Sequence, residues 1–121
     1  MSWTGLDQRA FPRISARCDI SIQHSLAGVI KTHTQNVGAG GVCVILQREL
    51  EKLSSVHLKL ALEDPDSLIE CEGRAMWIVR STDPASRKVS FDTGIGFVGL
   101  KPEAEKRLAA FLKTKTQFSG K

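Results

Sequence analysis

Asn36-Val37-Gly38-Ala39-Gly40-Gly41-Val42-Cys43-Val44-Ile45-Leu46 places three glycines within four residues, opens on an asparagine and runs at once into an unbroken apolar stretch. Glycine gives up more conformational entropy on folding than any other residue, so a cluster of them has a structural reason. Either the chain turns tightly here, or something comes very close to its backbone. The apolar run 42–46 reads as a strand buried on both faces. A strand after the glycines excludes a dinucleotide-binding fingerprint, which needs a helix in that place.

Working outward, the flanking segments also read as strands. Ile14, Ala16, Cys18, Ile20 and Ile22 alternate with Ser15, Arg17, Asp19 and Ser21, the period of a half-buried strand. Pro12 keeps Phe11 out of the α region, so residues 9–13 should enter that strand extended. Residues 23–28 break the pattern, and 29–35, rich in β-branched side chains, predict a second strand. Beyond the glycines, Leu46, Leu50 and Leu53 have helical spacing, which predicts one or two helical turns. Val56, Leu58, Leu60 and Leu62 alternate with His57, Lys59 and Ala61 as a further strand, and the Glu63-Asp64-Pro65-Asp66 composition predicts a turn. Ile69, Cys71, Gly73, Ala75, Trp77 and Val79 form one face of a long strand, followed by a polar loop over 81–88. The last strand is expected over 89–100, where two interior glycines predict a bulge or a sharp bend.

Pro102 suits the first position of a helix. Ala104, Leu108, Phe111 and Leu112 then make one apolar stripe. Glu103 and Glu105 at its start and Lys113 past its end match the helix dipole. Residues 1–8 are expected to be a flexible leader, 9–113 the folded domain and 114–121 a disordered tail. The fold class is therefore mainly all-β. Six short strands favour a closed antiparallel β-barrel, since closure removes exposed edges, with a C-terminal amphipathic α-helix.

Bulk properties bound the function. A length of 121 residues is one domain with a real core. No run of 18 apolar residues predicts a membrane span, and residues 1–5 lack the charge and apolar pattern of a signal peptide, so a cytoplasmic location is expected. Three widely spaced cysteines fit reduced thiols rather than a disulfide framework or a zinc site. His24, His33 and His57 have no metal-ligand spacing, and no nucleophile elbow or phosphate loop is present, so the chain is expected not to be an enzyme and to hold no metal. The net charge of +4 is spread without interleaved aromatics, which argues against a nucleic-acid partner.

Arg9 and Arg13 are four apart in an extended segment and can point to one side, roughly 13 Å apart at about 3.3 Å per residue. Two guanidinium forks can each grip a phosphate or a guanine O6/N7 edge bidentately, which lysine cannot reproduce. A glycine-rich turn exposes backbone N–H groups to a flat or anionic ligand. Arg9-x-x-x-Arg13, a strand pair and then Asn36-x-Gly38-x-x-Gly41 together resemble the PilZ domain family, whose signature is RxxxR followed by [D/N]xSxxG. Gly73-Arg74-Ala75-Met76-Trp77, Gly94-Ile95-Gly96-Phe97 and the helix from Pro102 to Leu112 extend the resemblance over roughly residues 7–113.

That resemblance implies a six-stranded antiparallel barrel of PilZ type and binding of the bacterial second messenger cyclic di-GMP. By motif position, Arg9 and Arg13 would hold phosphate and guanine edges, Asn36 would hydrogen-bond a guanine, and Gly41 would keep the turn open against the ligand. Gln8 stands where members that take a ligand dimer carry another arginine, which implies one ligand molecule here. Gly38 replaces the family's serine and removes a hydroxyl. One lost hydrogen bond is worth about 1–2 kcal/mol, or roughly tenfold in affinity. The expected role is a receptor that passes the signal on by ligand-induced ordering of the arginine segment and by contact with an effector protein. The alternative is a PilZ-like adaptor with a degenerate ligand site that acts through protein contact alone. A third reading, a basic barrel that binds single-stranded nucleic acid, lacks an aromatic stacking platform.

Overall fold

The structure, a computed structural model, describes residues 13–62 and 68–119, with Arg13 and residues 116–119 described by backbone alone. The leader with Arg9, and the turn expected over 63–66, lie outside the described residues. The elements are β1 (Arg13–Ser15), β2 (Asp19–His24), β3 (Gly28–Gly38), β4 (Gly41–Leu46), β5 (Ser55–Leu60), β6 (Ile69–Thr82), β7 (Val89–Val98) and α1 (Pro102–Ser119). Every strand pairing is antiparallel. The order β3-β2-β5-β6-β7-β4 closes on itself through a β3–β4 pairing, giving a six-stranded barrel with β1 as one extra strand beside β3. The interior is filled by Ile20, Ile22, Val37, Val42, Val44, Leu46, Leu58, Leu60 and Ile95, and Leu108 and Phe111 of α1 join the same core.

The first expected strand is interrupted. Ser15 pairs with Asn36 and Asp19 with His33, so residues 16–18 oppose only residues 34–35. One extra residue on one side is a β-bulge, and it frees backbone groups from the ladder. Thr34, buried at 1% exposure, supplies the missing partners. Its hydroxyl accepts from the Cys18 N–H at 2.9 Å and donates to the Ala16 carbonyl at 2.6 Å. The Thr34 N–H meanwhile donates to the Cys18 carbonyl at 2.9 Å. The inward alternation of Cys18, Ile20 and Ile22 survives the bulge, which explains why it reads as one strand in sequence.

Three further expectations are corrected. Residues 47–54 form no helix: Leu46 closes β4, Leu50 is buried as a plug at 2% exposure, and Leu53 is exposed with φ 68°. Three leucines with separate roles happen to share helical spacing. The loop end joins β6 instead, with the Leu53 N–H donating to Ala75 and the Ala75 N–H to Ser54. The bulge expected at the glycines of β7 lies on β6, between Ala75 and Trp77. α1 begins at Pro102 as expected but runs to Ser119, past the point where the tail was expected to fray. Its stripe is followed by Lys115, whose Nζ sits 5.6 Å from the Phe111 ring centroid, and the next glycine is Gly120.

On the outer wall His57 of β5 lies between two carboxylates of β6, with Nδ1 2.9 Å from Glu72 and Nε2 3.5 Å from Glu70. The Glu72 hydrogen bond raises the His57 pKa, against a smaller opposing effect of burial. The three cysteines remain buried thiols, and burial pushes Cys71 up to about 11.

Two outcomes follow from these contacts. Thr34→Val keeps the volume but leaves the Cys18 N–H and Ala16 carbonyl unpaired. At about 1–3 kcal/mol per buried orphan, urea unfolding should show a loss of roughly 2–6 kcal/mol, against about 1 kcal/mol for Thr34→Ser. Equal losses for both variants would refute the bridging role. For His57, a raised folded pKa means that its pair stabilises the fold below about pH 6.5 and loses that contribution as pH rises through the folded value. An NMR titration should place its midpoint above the ordinary histidine value, and Glu72→Gln should bring it back down.

Candidate functional site

Four of the sequence-selected residues, Arg13, Asn36, Gly38 and Gly41, lie on the paired strands around the β3–β4 turn. β3 continues through Asn36 to Gly38, so the asparagine sits in a strand and the turn itself is only Ala39–Gly40. Asn36 is paired with Ser15 of β1 on one side and with Cys43 of β4 on the other. A register shift between Thr34 and Asn36 bends β3 at this point. Gly38 pairs with Arg13, so the backbones of these two motif residues lie directly across from each other. The turn is anchored from below: the Phe97 N–H of β7 donates to the Gly40 carbonyl at 2.9 Å, and Gly41 pairs with Gly96. Arg9 lies outside the described residues.

Asn36 carries the one chemical anomaly. Its Oδ1 is buried and has no hydrogen-bond partner, the sole buried side-chain nitrogen or oxygen in that condition among the described residues. An unpaired buried acceptor costs about 1–3 kcal/mol, so Oδ1 is poised to accept from a donor outside the described residues. A carboxamide oxygen flanked by a side-chain N–H₂ can accept from one group and donate to another at the same planar edge, the pattern a nucleobase presents.

The glycines divide by task. A Cβ on Gly41 would sit 2.2 Å from the Ile95 carbonyl oxygen and 3.0 Å from the Gly96 Cα. The packing of β4 against β7 therefore already requires glycine at 41, whatever binds above the turn. A Cβ on Gly94 would lie 2.2 Å from the Trp77 ring, so Trp77 is laid across β7 on bare backbone. Gly94, expected to mark a bulge or bend in β7, instead makes way for the Trp77 ring. Thr34 is the positioning residue that sequence reading passed over. Its one signal is a hydroxyl in a β-branched strand, two residues before Asn36.

The PilZ domain family model matches residues 7–114. The chain belongs to the PilZ family. Several solved structures share its fold at low identity. The Bacillus subtilis inhibitor of motility, MotI/DgrA, superposes with a TM-score of 0.71 at 23% identity, covering 91% of this chain and 52% of the other. The PilZ domain of Escherichia coli YcgR, solved with cyclic di-GMP, gives 0.70 at 12% identity, covering 94% and 98%. MrkH, described as a cyclic di-GMP-dependent transcription regulatory factor, gives 0.68 at 12%, covering 88% and 50%. This chain thus spans about half the length of MotI/DgrA and almost all of the YcgR PilZ domain. A comparison with curated protein sequences finds no significant match.

In this PilZ chain no three His, Cys, Asp or Glu side chains among the described residues are grouped to hold a metal ion. No helix among them is long and apolar enough to cross a membrane. Gly41→Ala should destabilise the barrel by about 1–3 kcal/mol, the usual cost of overpacking, in a thermal melt without any ligand. A Gly41→Ala protein as stable as the parent would return Gly41 to a purely ligand-facing role.

Proposed function

We propose that this PilZ protein binds cyclic di-GMP at the β3–β4 turn. The observation that carries the reading is the buried, unpartnered Oδ1 of Asn36, set beside the strand that brings in Arg13. Guanine offers N–H donors to that oxygen and an O6/N7 edge to an arginine fork. The two phosphates of the ligand suit the remaining guanidinium capacity of Arg9 and Arg13. In this reading Asn36 reads a guanine, the arginines clamp phosphate and base edges, Gly38 leaves a space where a water can replace a serine hydroxyl, and Gly41 holds the turn down on β7. One ligand molecule per chain is expected. Binding fixes the Arg9–Arg13 segment against the turn, and a partner protein reads the resulting surface. The protein acts as a cytoplasmic receptor and not as an enzyme.

The second reading, a PilZ adaptor without ligand, draws on Gly38 alone. Calorimetric titration with cyclic di-GMP separates the two. The receptor gives a saturable heat with one site; Arg9→Ala, Arg13→Ala and Asn36→Ala each weaken it at least about tenfold, the cost of losing one good polar contact. Gly38→Ser should tighten binding roughly tenfold by restoring one hydrogen bond. No heat and no chemical-shift change at high micromolar ligand would leave the adaptor.

A further inference from the structure

β3 is partnered unequally along its length. From Thr34 to Val37 it pairs with β4, and β1 covers its other flank over Asn36–Gly38. From Gly28 to His33 its ladder partner among the described residues is β2 alone. Beyond Val44, β4 follows β7, pairing Ile45 with Asp92 and Leu46 with Phe91, and leaves β3. The Thr34 N–H points to Cys18, on the β2 side. Successive residues of a strand turn their backbone groups to opposite flanks. Ile30 and Thr32 therefore face β2, while Val29, Lys31 and His33 turn their backbone groups to the other flank, where the Thr34–Val44 pairing engages the His33 C=O with β4 and leaves the Val29 and Lys31 groups and the His33 N–H open.

A groove of about 450 Å³ lies where the strands part. Ile30 and Leu46 line it on the barrel side, and Val29, Lys31, Ile45 and Arg48 on the outer side, with Val29 56% and Ile45 42% exposed. Arg48 is held there by donating from Nη1 to the Ala27 carbonyl at 2.9 Å. No carboxylate is among the lining residues, so Lys31 and Arg48 make the groove positive around its apolar floor of Ile30 and Leu46.

We propose that this half-edge of β3 docks an extended segment of a partner protein as an added antiparallel strand. The free backbone groups of Val29 and Lys31, with the N–H of His33, would supply the ladder, as in other strand-addition interfaces. Side chains of the added strand alternate between its faces. Those turned to the barrel meet Ile30 and Leu46 and are apolar; those turned outward lie beside Lys31 and Arg48 and are Asp or Glu. A second copy of this chain is the poorer occupant, because pairing the edge with itself sets Lys31 and Arg48 against their like charges. The surface is separate from the Asn36–Gly41 turn and does not require that cyclic di-GMP bind there.

The test uses the intact protein and two soluble probe peptides of alternating valine, one with glutamate and one with lysine at the other positions. In the free protein, the amides of Val29, Lys31 and His33 should exchange at least about tenfold faster than those of Ile30 and Thr32, since only the latter are in a ladder. The glutamate peptide should shift and protect the three open-edge amides saturably. The lysine peptide, and Lys31→Glu with the glutamate peptide, should bind at least about tenfold more weakly. The proposal is overturned if the three amides are already protected in the free protein, if both peptides bind alike, if the shifts fall elsewhere, if nothing binds at millimolar peptide, or if the same amides shift with protein concentration alone, which would make the occupant a second copy.

Discussion

A single hydroxyl allows one strand to serve two registers. With Thr34 Oγ1 accepting from Cys18 and donating to Ala16, the chain can insert a residue between β1 and β2 without burying unpaired backbone groups. Lacking that bridge, the extra residue would cost about 1–3 kcal/mol for each orphaned group, enough to favour a continuous strand one residue out of step. β1 would then no longer set Arg13 against Gly38 and Ser15 against Asn36. The candidate site therefore depends on a contact that touches none of its own side chains.

The second constraint is space. A closed six-stranded barrel brings its strands close, and the short residues of β4 and β7 record where backbone meets backbone or an aromatic ring. Gly41 faces the Ile95 carbonyl and Gly94 lies beneath Trp77. The turn above Gly41 is in this way pinned to β7 through the Gly40–Phe97 hydrogen bond. In the proposed reading, a turn held in this way beside an unsatisfied carboxamide oxygen needs little ordering of its own when a ligand binds.

β3 joins the two surfaces that matter. Its distal half, from Thr34 to Gly38, is flanked on both sides and carries the candidate ligand site. Its proximal half, from Gly28 to His33, has β2 on one side and a groove on the other. Stagger of this kind follows from barrel closure, where a tilted strand gives different stretches of its length to its two neighbours.

The sequence by itself determined the class of fold, the positions of most strands, the start of the helix and the family. These rest on local regularities: period-two alternation, glycine and proline punctuation, and an apolar stripe. It also picked out Arg13, Asn36, Gly38 and Gly41 as one constellation. Only the tertiary structure decided what surrounds them. The helical spacing of Leu46, Leu50 and Leu53 dissolved because each leucine answers to a different long-range neighbour. Gly41 turned out to be required by Ile95, far along the chain, and Asn36 to be an acceptor without a donor. Register shifts, close backbone approach and unsatisfied polar atoms are properties of pairs of segments. No single segment encodes them, which is why pattern reading reached the fold and stopped short of the site's mechanics.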